Sequence, residues 1–332
     1  MTPSLTLGKV RGLQELANKQ DLLTITALDH RGSLRRALNP DDPKSVDYQQ
    51  MQDYKLKLLK HLGPHSSAIL IDPVYGASAA LAKGSILGQQ GFLVSLEATG
   101  YDDAEGDRLT SAADSWSVEK IKRMGASAVK LLLYYNPGSA TAGQQEAFVE
   151  AAAVECRQHD IPFLVEPMTY HVVDGPKKGT PEFAKLKPQM VIETARRLCP
   201  LGIDVLKAEF PDDPDHETDE SKMADHCQQL TEAAGVPWVL LSAGVGYDKF
   251  KLQTEIACQA GASGFLAGRA IWQEAPGMPA AEQDAFLADT SVKRLKELTS
   301  IANQHGRPWT QVYGPALAAI DVAEGWQERY SV

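Results

Sequence analysis

Short apolar runs recur along the chain, eight in all. They run from Leu22 to Asp29, Ala68 to Asp72, Gly91 to Glu97, Ala126 to Tyr135, Pro162 to Tyr170, Val205 to Pro211, Pro237 to Gly244 and Gly264 to Trp272. Each is rich in Val, Ile, Leu or aromatic residues and lacks clean alternation, which predicts strands covered on both faces, as in a parallel sheet. The gaps between them carry helical spacing. Met51, Lys55 through its aliphatic stem, Leu58 and Leu62 fall three or four apart, with Ser45 as the expected cap and Gly63-Pro64 as the stop. Asp114 is expected to cap a helix through Val118, Ile121 and Met124, and an Ala-rich helix reaches His159. A helix through Met190, Val191 and Leu198 ends at Cys199-Pro200, and Asp248 opens one through Phe250, Ile256 and Ala260 that closes at Gly261.

Eight strands alternating with helices, at a spacing close to the roughly 30 residues of a βαβ unit, predict an α/β fold: a single (β/α)8 TIM barrel. A doubly wound open sheet is the rival. Its dinucleotide fingerprint should follow the first strand, where this chain has Asp29-His30-Arg31-Gly32. No linker or low-complexity block divides residues 1–332, so one domain is expected. An N-terminal helix from Leu5 to Ala17 precedes the barrel, and a C-terminal helical extension covers about 299–332.

Barrel enzymes draw their chemistry from the C-terminal ends of the strands. Here those ends carry Asp29, Asp72, Glu97, Lys130, Glu166, Lys207, Ser242 and Arg269, each after apolar residues. Such a set either neutralises itself as a polar cluster at the barrel mouth or performs chemistry, because an unpaired buried charge costs several kcal/mol. Lys130 and Lys207 stand inside strands where an ammonium cannot easily reach water. Desolvation and a neighbouring cation both favour a neutral amine, the form that attacks a carbonyl to give a Schiff base. Glu166 lies one strand before Lys207 and is the candidate acid/base. On that order Lys207 is expected to form the covalent intermediate, with Lys130 as the supporting cation. Ser242-Ala243-Gly244-Val245-Gly246 and Gly268-Arg269 supply backbone donors, a hydroxyl and a guanidinium, a set suited to a phosphate after the last two strands.

Composition narrows the partners. A net charge of −10 argues against bulk nucleic acid or an anionic membrane as the partner. The absence of any long apolar segment or signal sequence makes a cytoplasmic protein the expectation. The eight histidines offer no pair at zinc spacing and the four cysteines make neither a zinc knuckle nor a redox pair, so no metal and no cofactor is expected. Carboxylate-bound magnesium through Asp29, Asp72 and Glu97 stays open.

Taken together these motifs resemble the class I tagatose-bisphosphate aldolases, in the wider group with deoxyribose-phosphate and sulfofructose-phosphate aldolases. The likeness rests on Ala27-Leu28-Asp29-His30-Arg31-Gly32, Leu70-Ile71-Asp72-Pro73, Glu97-Ala98-Thr99-Gly100-Tyr101-Asp102, Ala128-Val129-Lys130-Leu131, Asp204-Val205-Leu206-Lys207, Leu241-Ser242-Ala243-Gly244 and Gly268-Arg269-Ala270. The resemblance implies Lys207 as the Schiff-base lysine, Glu166 as acid/base, Asp29 and Lys130 in support, and one phosphate at Ser242, Gly244, Gly268 and Arg269. It implies cleavage of a ketose 1-phosphate or 1,6-bisphosphate to dihydroxyacetone phosphate and an aldehyde, in a homo-oligomer whose partner is a small-molecule sugar phosphate. His30 stands where that family has Gln, beside Arg31, which is expected to meet a distal anion. Alternatives are a sulfofructose-1-phosphate aldolase or a non-catalytic sugar-phosphate-binding barrel. A phosphosugar isomerase or epimerase is a third reading, but it has no use for Lys207.

Overall fold

The structure is a computed structural model that describes residues 5–104 and 107–330. Eight parallel strands close into a barrel: β1 (Leu23–Leu28), β2 (Ala68–Ile71), β3 (Gly91–Ser95), β6 (Ala128–Tyr134), β7 (Phe163–Met168), β8 (Val205–Ala208), β9 (Trp238–Leu241) and β10 (Gly264–Ala267). Two further strands, β4 (Asp102–Ala104) and β5 (Asp107–Leu109), form an antiparallel pair inserted after β3, which the sequence pattern did not announce. Around the ring the order is β1-β10-β9-β8-β7-β6-β3-β2, so the first and last barrel strands are neighbours. Closure explains why the barrel strands are buried on both faces: one face meets the barrel interior and the other the helices.

Helices fill the intervals: α1 (Leu7–Leu16), α2 (Gly32–Leu38), α3 (Tyr48–Leu62), α4 (Ala77–Ala82), α5 (Val118–Arg123), α6 (Ala142–Gln158), α7 (Pro181–Leu198), α8 (Glu220–Ala234) and α9 (Tyr247–Gln259). After the barrel come α10 (Arg269–Trp272), α11 (Ala280–Phe286) and α12 (Val292–His305), then short turns to Arg329. Helix α1 seals the bottom, where Lys9 pairs with buried Asp204 at 2.7 Å. Gly12 lets it approach closely, since a Cβ there would stand 2.4 Å from the carbonyl oxygen of Ser127.

Several boundaries differ from the sequence reading. Ser45 ends a 3-10 turn; Asp47 caps α3 instead, in a capping box with Gln50. Ser117 rather than Asp114 caps α5, and Gly246 rather than Asp248 precedes α9. The eighth run was expected to stay extended to Trp272. Its strand stops at Ala267 and Arg269–Trp272 turns into α10, because Gly268 breaks the strand and an apolar run does not say which secondary structure buries it.

Candidate active site

Register assembles the central cluster. Leu132 on β6 lies opposite Glu166 on β7, and Val165 lies opposite Leu206 on β8, which brings Glu166 beside Lys207. Side chains alternate along a strand, so Lys130, Leu132 and Tyr134 share the inward face with Glu166 and Lys207. Glu166 then spans both lysines: one oxygen is 2.8 Å from Lys207 Nζ and the other 2.9 Å from Lys130 Nζ. Lys130 Nζ also donates to Asp29 at 2.8 Å and to Glu97 at 2.7 Å.

This arrangement revises the joint expectation for the two lysines. Burial alone would lower the Lys130 pKa, but Asp29, Glu166 and Glu97 outweigh it and hold the ammonium well above its usual range. Lys130 is held as a buried cation among three carboxylates. Burial alone would likewise raise the Asp29 carboxyl, yet Lys130, then Lys207 and His30, pull it far below the usual carboxylate range. Lys207 contacts only Glu166 among these carboxylates and borders an open cavity of about 480 Å³.

The cavity is walled by Asp29, His30, Arg31, Glu97, Glu166, Lys207, Ser242, Gly268 and Arg269. Every expected site residue except Lys130 and Gly244 lines it directly. Those two stand just behind the wall, Lys130 under Glu166 and Gly244 under the Arg269 guanidinium. Backbone geometry at the phosphate-type corner is unusual: Ala243 and Gly244 both have positive φ, 47° and 79°. Consecutive residues of this kind turn backbone amides into a concave loop suited to an anion.

His30 packs edge-on against Trp272, with ring centroids 5.3 Å apart, in space left by the missing side chain of Gly268. Burial pushes its pKa down to about 3, against the pull of Asp29 and with help from Arg269, so the ring is neutral near pH 7. Arg31 points inward and donates to the Glu97 carbonyl at 2.8 Å, with its guanidinium 3.8 Å from the Glu97 carboxylate.

Asp72 departs from the expected ring of mouth residues. It is fully buried and pairs at 2.7 Å with Lys55, whose Nζ also reaches the carbonyls of Leu28 and His30. The magnesium alternative loses its donor set this way, since Asp72 turns to Lys55 while Asp29 and Glu97 close on Lys130. Among the described residues no group of three or more acidic, histidine or cysteine side chains is placed to hold a metal.

The sequence reading missed several contributors. Lys55 was read only as a stem on an apolar face, although its place in a buried helical stripe was the available signal. Tyr134 lines the cavity two positions beyond Leu132 on the inward face of β6, and alternation from Lys130 would have found it. Tyr101, Ser33 and Arg36 also line the cavity, from loops and a helix whose sequence carries no strand-end signature. The strand pair is anchored by Arg108, whose guanidinium lies 4.4 Å from the Tyr101 ring centre and 5.0 Å from those of Tyr134 and Tyr170. It thereby sets the tyrosine wall of the cavity.

Comparison with known proteins defines the class as a barrel aldolase. A family model described as DeoC/LacD family aldolase matches residues 23–274, which spans the whole barrel, and the chain belongs to that family. The tagatose 1,6-diphosphate aldolase of Lactococcus lactis subsp. lactis is 33% identical over 327 residues, covering 92% of this chain and 98% of that protein. Tagatose 1,6-diphosphate aldolase 2 of Streptococcus agalactiae serotype III is 32% identical, covering 92% of this chain and 99% of its own. Among solved structures, an archaeal fructose 1,6-bisphosphate aldolase superposes with a TM-score of 0.57 at 21% identity, covering 88% of this chain and 98% of that one. The Plasmodium falciparum fructose-bisphosphate aldolase does so with a TM-score of 0.68 at 14% identity, covering 92% and 99%. At such identities the structural matches speak for the fold. Family membership makes this chain an aldolase, which sets aside the reading as a barrel that only binds. Among the described residues no helix is long and apolar enough to cross a membrane.

Proposed function

We propose that this aldolase cleaves a ketose 1-phosphate or 1,6-bisphosphate of the tagatose or fructose type, through a Schiff base on Lys207, to dihydroxyacetone phosphate and an aldehyde. The observation that carries the proposal is the single carboxylate of Glu166 held between Lys207 and Lys130. Across the 2.8 Å contact Lys207 passes a proton to Glu166 and becomes the free amine. The amine adds to the C2 carbonyl, and protonated Glu166 returns its proton to the carbinolamine oxygen, which leaves as water. The iminium that remains is the electron sink. Glu166, again a carboxylate, takes the C4 hydroxyl proton; the C3–C4 electrons move into the iminium and the aldehyde departs. Protonation of the enamine at C3 and hydrolysis free dihydroxyacetone phosphate and Lys207. Lys130 keeps its charge throughout and orients Glu166. The C1 phosphate is assigned to Ser242, Gly244, Gly268 and Arg269, where loop amides and a guanidinium act together.

The names of the relatives support a tagatose bisphosphate as substrate. The proposal includes a cytoplasmic setting and a homo-oligomer in solution, which sedimentation tests. The chemical test is a panel of fructose and tagatose bisphosphates, fructose 1-phosphate and sulfofructose 1-phosphate, followed by dihydroxyacetone phosphate release. Borohydride added with dihydroxyacetone phosphate is expected to inactivate the enzyme and mark the peptide containing Lys207, while a chelator leaves activity intact. A reduced adduct on Lys130, or activity lost to the chelator and restored by zinc, would overturn the mechanism.

A further inference from the structure

Four arginines approach the barrel mouth from the first and last βα units, and three have evident commitments. Arg31 is held by the Glu97 carbonyl. Arg35 donates to the Tyr75 hydroxyl at 3.0 Å and lies 5.5 Å from that ring centre. Arg269 lies against Gly244, on the side assigned to the C1 phosphate. Arg36 is different. It lines the same cavity, with a guanidinium nitrogen 3.7 Å from the place a Gly32 Cβ would occupy, and has no hydrogen-bond or ion-pair partner among the described residues. Ser33, Thr99, Gly100 and Tyr101 line the same cavity.

The charge balance of the cavity sharpens the contrast. Asp29, Glu97 and Glu166 are matched inside the cluster by Lys130, Lys207 and Arg31. Arg31 thus spends its charge on Glu97, and withdrawing it toward a substrate would loosen the carboxylate that helps hold Lys130. Two cations then remain unmatched along the cavity, Arg269 and Arg36. A substrate with an anionic group at each end meets one with each.

Resting on the proposed ketose-phosphate cleavage, we infer that Arg36, rather than Arg31, is the specificity residue that binds the anionic group at the distal end of the substrate. A guanidinium takes the three oxygens of a phosphate or a sulfonate alike, so the shared chemistry is a tetrahedral oxyanion at the carbon farthest from C1.

The experiment compares wild type, Arg36→Ala, Arg36→Lys and Arg31→Ala in two assays. In turnover, Arg36→Ala is expected to lower the ratio of kcat/KM for the 1,6-bisphosphate over the 1-phosphate about tenfold, mainly through KM, with partial recovery in Arg36→Lys. Arg31→Ala is expected to reduce both substrates together, through kcat. In calorimetry with hexitol 1,6-bisphosphate and hexitol 1-phosphate, which have no carbonyl to react, Arg36→Ala should remove most of the preference for the doubly charged ligand, and raised salt should do the same to wild type. Sulfofructose 1-phosphate in the turnover assay tells a sulfonate from a phosphate. An unchanged bisphosphate preference in Arg36→Ala, or its loss in Arg31→Ala alone, would overturn the assignment. If no ketose phosphate is cleaved but the hexitol preference still depends on Arg36, the reaction is wrong and the anion site stands.

Discussion

Arg269 lies flat against the α-carbon of Gly244: a Cβ on Gly244 would stand 2.8 Å from the guanidinium carbon and 3.0 Å from both terminal nitrogens. No side chain fits there without displacing the guanidinium. The φ of +79° adds a second objection, since alanine is strained in that region by roughly 1–2 kcal/mol. Gly244→Ala is therefore expected to raise KM for every substrate carrying a C1 phosphate about tenfold, with a small loss in Tm. Because the defect acts through Arg269, the double variant with Arg269→Ala should bind little worse than Arg269→Ala alone. Additive losses in steady-state kinetics would show that the two residues act separately.

Lys130 holds three carboxylates, and its removal leaves them facing one another in a buried site. Lys130→Met is expected to cost about 3–5 kcal/mol at pH 7. The pH dependence has a definite sign. A carboxyl depressed in the folded state, like Asp29, contributes stability above about pH 4 that is lost as pH falls through its folded value; an ammonium raised in the folded state, like Lys130, contributes below about pH 10.5 and is lost as pH rises. Wild type should gain stability as pH climbs through the acid range to about 4 and hold it above that, whereas the Met variant, whose unpaired carboxylates repel one another as they ionise, should lose stability, so the gap between them widens from acid pH to pH 7. Urea titrations at a series of pH values measure it. A constant gap would mean that the carboxylates do not depend on Lys130.

His30 is buried as the neutral ring, with its pKa lowered to about 3. Between that value and about 6.5 the unfolded chain takes up a proton that the folded chain refuses, so this residue makes stability fall as pH drops through that interval. His30→Gln, which has no titrating group, is expected to flatten the slope of Tm against pH between about 6.5 and 4. A slope as steep as that of wild type would place the titration elsewhere.

Much of this protein was legible along the chain. Strands buried on both faces write continuous apolar runs, so all eight barrel strands were located, and a charge ending such a run marks the C-terminal end of the strand, where the barrel mouth can solvate or pair it. Lys207, Glu166, Lys130 and Asp29 were found that way, and they meet as expected. What the chain could not reveal was partner choice. Asp72 ends its run just as Asp29 does, yet pairs with Lys55 beneath the mouth. Arg31 follows Asp29 by two residues in sequence, yet is captured by a carbonyl 66 residues away. Arg36 reads like any exposed helix cation until the closed barrel leaves it facing an open cavity. The local pattern reports how deeply a position is buried, whereas partners depend on distances between segments that only barrel closure sets.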